Sequence, residues 1–422
     1  MSFTLEAVEE LAYLHGEPDW LRERRREAFG VYERTGLPSK QDEEWRRTDL
    51  AGLDLEAFRP FEEADGGPPS DAISEVAGAL RQRGSAAGTV ELDPDLAARG
   101  VILLPLSQAA REQRGLVERH LFTGVQPGRD KFAALHAALF SGGTFLYVPD
   151  HLAVEKPFLS QFWSSGGGAA VLPHTMIVAG EGSSFSYVDE FLSPSLDRPT
   201  LTSGSAEVFA GRGSNVGYVS LQRWGSHAWQ FANQRARLGQ ESTVRLVTVC
   251  LGGRFAKTRV EADLAGPGAT AELKALFFGS GQQSFDFHTL QAHRAPSTTS
   301  DLLFKGALRD TARSLYAGLI RVEKEAQRTD AYQANRNLLL SDHAKATSIP
   351  MLEILNNDVR CTHGATVAPL DPEHLFYLES RGIPHPTAER MIVQGFFGEV
   401  LDRIPVRQAR ELVERELVAR IG

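Results

Sequence analysis

A cysteine and a histidine two residues apart, Cys361-Thr362-His363, are the side chains in this sequence best suited to chemistry. They sit within Asn357-Asp358-Val359-Arg360-Cys361-Thr362-His363-Gly364-Ala365-Thr366, and the other of the chain's 2 cysteines is Cys250. On an extended backbone, side chains two apart project from one face. A strand here would therefore aim a thiol and an imidazole the same way, and these are ligand types that suit iron, copper or zinc. A tetrahedral structural site needs four ligands, and no second Cys/His pair lies close in sequence. Distant parts of the chain or another subunit would have to complete a metal site. Plainer roles stand beside this one: a small buried hydrophobe for the cysteine and an ordinary hydrogen-bonded histidine. A thiol-based metal or redox role for Cys361 would require an exposed, depressed-pKa thiolate, and Arg360 would point to the opposite face of such a strand.

The elements that must position this pair are read from the rest of the chain. Its 422 residues, 42% hydrophobic and 23% charged, describe an ordinary globular protein of two or three domains. A net charge of −9 and a pI near 5.8 argue against nucleic acid as a partner. The cluster Arg22, Arg24, Arg25 and Arg26, interleaved with Glu23 and Glu27, is expected to be a solvated, salt-bridged helix face. No basic segment followed by an apolar stretch opens the chain, and no apolar run is long enough to span a bilayer. Two cysteines give no disulfide framework. A reducing, cytoplasmic setting without membrane contact is the expectation.

Residues 1–141 read as a helical or mixed domain, with helical patterns from Pro18 to Gly36 and around 71–83, 107–122 and 129–140. An exposed linker is expected over about 58–69. Residues 142–370 change to short alternating runs. In Lys257-Thr258-Arg259-Val260-Glu261-Ala262-Asp263-Leu264 the odd positions are charged, which predicts a strand with one wet and one buried face. Gly239, Gly252, Gly266 and Gly279 recur every 13 or 14 residues. A repeating strand-plus-turn unit of that length fits a stacked parallel β-helix better than a sandwich. Asn-Gly and Asp-Gly hairpin turns are absent from the sequence. Residues 371–422 return to helix: Asp371 is a plausible N-cap with Pro372 behind it, and Gly382 fits the helix end. A second helix from Pro386 to about Arg403 contains Gly395 and Gly398, whose cost of about 1 kcal/mol each relative to alanine suggests close approach of another element.

Together, the Cys361–His363 segment, the following Leu370-Asp371-Pro372-Glu373-His374-Leu375-Phe376-Tyr377, the stretch Gln327–Ser341 and the short Glu43-Glu44-Trp45-Arg46-Arg47-Thr48 resemble the SufB/SufD family of iron–sulfur cluster assembly scaffolds. The Cys-x-His-Gly-Ala-Thr form resembles the SufD branch. The resemblance implies a right-handed parallel β-helix with helical segments on either side, and no catalysis by this chain. It implies pairing with SufB along the β-helix and a candidate metal site, Cys361 and His363, shared across that interface. Transient iron or a nascent Fe–S cluster would be the cargo, a flavin at the level of the complex is left open, and the isolated chain could form a homodimer. It also implies docking of the ATPase SufC on the C-terminal helices, for which Met391, Phe396, Phe397 and Val400 are the candidate residues.

Other chemistries are weaker. No G-x-x-x-x-G-K-[ST] occurs, so no P-loop is present. Gly211–Gly217 has the wrong spacing for a dinucleotide loop, and Gly166-Gly167-Gly168 reads as a flexible loop. Gln327–Ser341 reads as a polar strand bonding in ladders between rungs. A carbohydrate lyase or hydrolase on a β-helix would need clustered carboxylates on an outer face. Glu261, Asp263, Glu272 and Asp286 are present, but each lies among basic neighbours.

Overall fold

A computed structural model describes residues 2–63, 65–67 and 73–421. From Ala228–Leu238 onward, successive strands alternate between two sheets, and each pairs in parallel with the strand two before it. Phe255–Leu264 lies in register with Ser284–His293, and Thr270–Gly279 with Thr299–Leu308. The result is a parallel β-solenoid of about 8 turns. Phe255 stands opposite Ser284, so one turn takes 29 residues, and the glycine period of 13 or 14 marks half-turns rather than whole rungs. The glycines sit at corners because the rungs are tightly stacked there: a Cβ on Gly252 would collide with the Trp224 carbonyl of the rung below.

Inside, apolar side chains from both sheets fill the lumen, among them Val260, Leu264, Leu273, Phe277, Phe287 and Phe304. The outer faces are covered separately. Helices Leu5–Leu14, Asp19–Arg34 and Lys131–Leu139 pack on Met176, Val178, Trp229, Phe231 and Phe255 of one sheet. Helices His385–Leu401 and Arg407–Ile421 pack on Val219, Val247, Val249, Leu276 and Leu303 of the other. Among the described residues no helix is long and apolar enough to cross a membrane.

Several expectations change on folding. The charged positions of 257–263 alternate as expected but are not wet: Lys257, Arg259, Glu261 and Asp263 are all buried. Residues 43–48 and 129–130 lie across them. Lys257 Nζ meets Asp286 Oδ2 at 2.8 Å and the Glu44 carbonyl at 3.0 Å, and Thr48 Oγ1 donates to Asp286 Oδ2 at 2.5 Å. Arg259 binds Glu44 at 2.8 Å and Asp130 at 2.7 Å, and Arg129 pairs with Glu261. Trp45 seats this strap against Phe132 and Lys257. Arg25 likewise leaves the solvated cluster. It is buried on Glu17, 2.6 Å away, and on the carbonyls of Ala138 and Phe140, while Arg26 pairs outside with Glu9 and Glu23.

Residues 78–83, expected as helix, form a strand beside Phe158–Trp163. The first solenoid rung needs a neighbour there, and that pairing overrides helix propensity. Residues 71 and 72 of that expected helix, and 64, 68 and 69 of the expected linker, lie outside the described residues. The rest of the linker is anchored: Phe58 is buried, and Glu62 accepts from Ser164 Oγ at 2.6 Å and from the Ser165 and Gly166 amides. The triple-glycine loop is thus the cradle of a buried carboxylate. The 107–122 pattern resolves into two helices, Leu106–Glu112 and Arg114–His120. Gly395 and Gly398 have open space around them: a Cβ on either would meet nothing within 4 Å.

Burial alone would raise the Asp286 carboxyl, but Lys257 and His288 overcome it and hold it at about 2. A depressed carboxylate contributes stability that is fully present above its unfolded value and is lost as pH falls through the folded one. The strap is therefore expected to loosen between about pH 4 and about pH 2, read as the Trp45 share of fluorescence (wild type minus Trp45→Phe). Asp286→Asn leaves Lys257 buried without its partner and should cost about 3–5 kcal/mol at neutral pH in denaturant melts.

Candidate functional site

The two ends of the solenoid differ. At the first end, the short antiparallel strands Thr89–Leu92 and Ile102–Pro105 close the two sheets. At the other end, Lys345–Ile354 and Val359–Pro369 are the last strands of their sheets, and among the described residues no strand follows either. An outermost strand leaves a row of backbone N–H and C=O groups unpaired. Both strands are long, at 10 and 11 residues, and carry the exposed apolar side chains Met351, Leu352, Ile354 and Val367.

Cys361 and His363 belong to this last rung. The turn before them stacks on the preceding turn: Asn356 Nδ2 donates to the Lys324 carbonyl at 2.5 Å, and the Arg328 amide donates to the Asp358 carbonyl at 2.6 Å. Val359–Pro369 then runs in register with Thr329–Leu339, placing Cys361 beside Ala331 and His363 beside Gln333. Ala331 and Gln333 are buried, and Gln333 Oε1 accepts from the interior Tyr316 hydroxyl at 3.4 Å. Parallel in-register neighbours share a face, so Cys361 and His363 continue the lumen-facing row to where the lumen opens. The cysteine is half-buried against Ile320, Val322, Ala326 and Ala331, whereas the histidine is exposed.

Burial, and then the Asp330 carboxylate, push the Cys361 thiol above its usual value. Arg360 turns to the outer face and lies 3.7 Å from Asp330. Neither supports a standing thiolate. Cys250 is deeper still, pushed up to about 12 by burial in the lumen. Among the described residues no three His, Cys, Asp or Glu side chains gather so as to hold a metal ion. The pair supplies at most two ligands.

The polar strand before it does not form a rung-to-rung ladder. Asn337 donates to Asn335 at 2.7 Å along the strand, and Asn335 reaches the Phe304 carbonyl at 3.3 Å, because the rung below offers Phe304 rather than another amide. Glycosidase-type carboxylates fare no better. Glu261, Asp263 and Asp286 are buried in ion pairs, and Glu272 is held by Arg245 at 2.9 Å. Gly211–Gly213 is a turn that leads into strand Asn215–Arg223, as a solenoid corner should.

The four helix residues divide. Phe397 and Val400 are fully buried on the solenoid with Val393 and Leu401, so they fasten the helix rather than face a partner. Phe396 is partly buried beneath the Lys305 ammonium, and Met391 is exposed. The surface that sequence reading missed is the helix Pro372–Ser380, capped by Asp371 on the Glu373 amide at 2.8 Å. It buries none of its residues and exposes Phe376 and Tyr377 at 72% and 56%. The signal was available: four consecutive large apolar residues, 375–378, cannot all lie on one face of a helix.

Titration with an aromatic disulfide under native conditions should modify Cys361 and spare Cys250. At pH 8 Cys361 should react several-fold more slowly than an unfolded-chain cysteine, because its thiolate fraction is reduced. Faster reaction than in the unfolded chain would restore the redox-sensor reading.

Residues 162–396 match the family described as SUF system FeS cluster assembly, SufBD core domain, and residues 89–159 match the SufBD protein N-terminal region. The chain is 30% identical to the iron–sulfur cluster assembly protein SufD of Bacillus subtilis, over 99% of this chain and 97% of that one. It is 26% identical to an iron–sulfur cluster assembly SufBD family protein of Staphylococcus epidermidis and 25% identical to one of Staphylococcus saprophyticus, each over 98% of this chain and 93% of the relative. The core match covers more than half of the sequence, and the Bacillus relative is aligned almost end to end: this chain belongs to the SufBD family of iron–sulfur cluster assembly proteins.

Proposed function

We propose that this chain is a non-catalytic scaffold subunit that pairs with SufB through the open end of its solenoid and docks the ATPase SufC on its C-terminal helices. The observation that carries the reading is the last rung: two long strands paired on one edge only among the described residues, an apolar fringe, and Cys361 and His363 at the mouth of the lumen. Edge strands of this length are sites for strand addition by another chain. A second copy of this chain would serve in the absence of SufB. His363, exposed and lacking enough neighbours to bind a metal alone, would contribute one ligand to transient iron or a nascent cluster, with the remainder supplied across the interface.

The connection to the ATPase is mechanical. Only Leu370 and Asp371 separate strand Val359–Pro369 from helix Pro372–Ser380. Displacement of that exposed helix by a closing ATPase pair would act directly on the strand that carries Cys361 and His363. Phe376 and Tyr377 give such a partner an apolar grip, and Met391 with Gly395 gives it a low-relief face on the next helix.

Co-expression with SufB and SufC tests the reading. His363→Ala should leave the ternary complex intact and lower its iron–sulfur content several-fold; cluster content equal to wild type removes His363 from the site. Gly395→Ala separates packing within the chain from docking. In the isolated chain it should stabilise by about 1 kcal/mol, since nothing crowds the added methyl. It should weaken SufC capture if that face is the contact, and unchanged capture would move the contact to the Phe376–Tyr377 helix alone.

A further inference from the structure

A cleft of ≈ 380 Å³ lies between residues 47–51 and the outer face of the second sheet. Four cations line it: Arg47, Arg254, Arg313 and Lys345. Arg313 and Lys345 are register partners on neighbouring parallel strands, about 4.8 Å apart along the hydrogen-bonding direction. Arg254 precedes Phe255, whose row runs through Ser284 to Arg313. Three rungs of this sheet and the strap thus each deliver a positive charge to the cleft, with the neutral Ser284 rung lying between Arg254 and Arg313. Like charges set directly opposite on adjacent strands repel, and none of the four forms an ion pair with a described residue.

Two carboxylates also line the cleft, and neither supplies the missing counter-charge in full. Asp286 is already matched by Lys257 at 2.8 Å and by the Thr48 hydroxyl. Asp49 accepts from the Ala51 amide at 2.9 Å and leaves an excess of cations. The excess stands out in a chain of net charge −9. Arg254 also lies over the Trp229 ring, 5.5 Å from its centroid, which fixes its guanidinium at the cleft wall. Gln282, Ser284 and Thr347 add neutral hydrogen-bonding groups. Guanidinium forks match tetrahedral oxyanions in two-point contact, and a neighbouring ammonium adds a point charge.

We propose that this cleft binds a phosphoryl-bearing small anion, held by Arg47, Arg254, Arg313 and Lys345. The site shares the last rung through Lys345 but lies on the other sheet from Cys361 and His363, and it does not rest on the scaffold reading. An anion here relieves the Arg313–Lys345 repulsion and ties the strap to the last rungs of its sheet.

Calorimetric titration of the full chain with pyrophosphate, against sodium chloride of matched ionic strength, tests the proposal. Saturable binding of one equivalent is expected. The Arg313→Gln/Lys345→Gln double variant should bind at least about tenfold more weakly, the scale of one lost charge-assisted hydrogen bond. Without ligand, that variant should melt no lower than wild type, because it loses only repulsion. If it does not fold, Arg254→Gln carries the same affinity test. A response that merely tracks ionic strength, or affinity unchanged in the variants, overturns the proposal. Displacement of pyrophosphate by hexaglutamate at concentrations below those at which pyrophosphate itself binds also overturns it, and would assign the cleft to an acidic protein segment.

Discussion

Parallel in-register stacking is the constraint from which the rest of this molecule follows. Each rung satisfies its backbone N–H and C=O groups on the rungs above and below, so a solenoid has no internal reason to stop. At the first end it is stopped by short antiparallel strands, 89–92 and 102–105. At the second it ends on two full-length strands with no further strand beyond them among the described residues. The unsatisfied end, the apolar fringe and the Cys361/His363 pair all coincide there. On the proposed reading, their coincidence marks the end rung as the assembly face.

The covering layers are held by different physics. The C-terminal helices lie on an apolar sheet face through Val393, Phe397, Val400 and Leu401. The N-terminal strap instead lies on a charged strip, where Lys257, Arg259 and Glu261 each find an opposite charge. Buried ion pairs add little net stability over apolar packing, yet removal of one partner is costly. Such a strip therefore sets where the strap must sit more than how tightly the fold holds.

Local signals survived into the structure and long-range ones did not. The alternation of 257–264, the corner glycines and the Asp371–Pro372 helix start are short-range features, and the fold keeps them. The wet face of 257–263 failed because its cover comes from residues 43–48 and 129–130, more than a hundred positions away. Arg25 left its surface cluster for the same reason, through a contact with the Phe140 carbonyl. Strand 78–83 was read as helix because its partner, 158–163, lies across an intervening set of helices. At the site, the shared face of Cys361 and His363 follows from period two alone. That they sit on the last rung, with an open lumen beside them, could not be read without counting the strands. Phe397 and Val400 show the converse: an apolar helix stripe does not say whether it faces the chain's own sheet or a partner.

The central claim is that the end rung is completed by another chain. Backbone hydrogen exchange of the isolated monomer and of its complex with SufB reads this directly. The account predicts that amides of 345–354 and 359–369 exchange quickly in the monomer and become strongly protected in the complex, while those of 255–308 stay as they were. Protection confined to other surfaces, or already complete in the monomer, would contradict it.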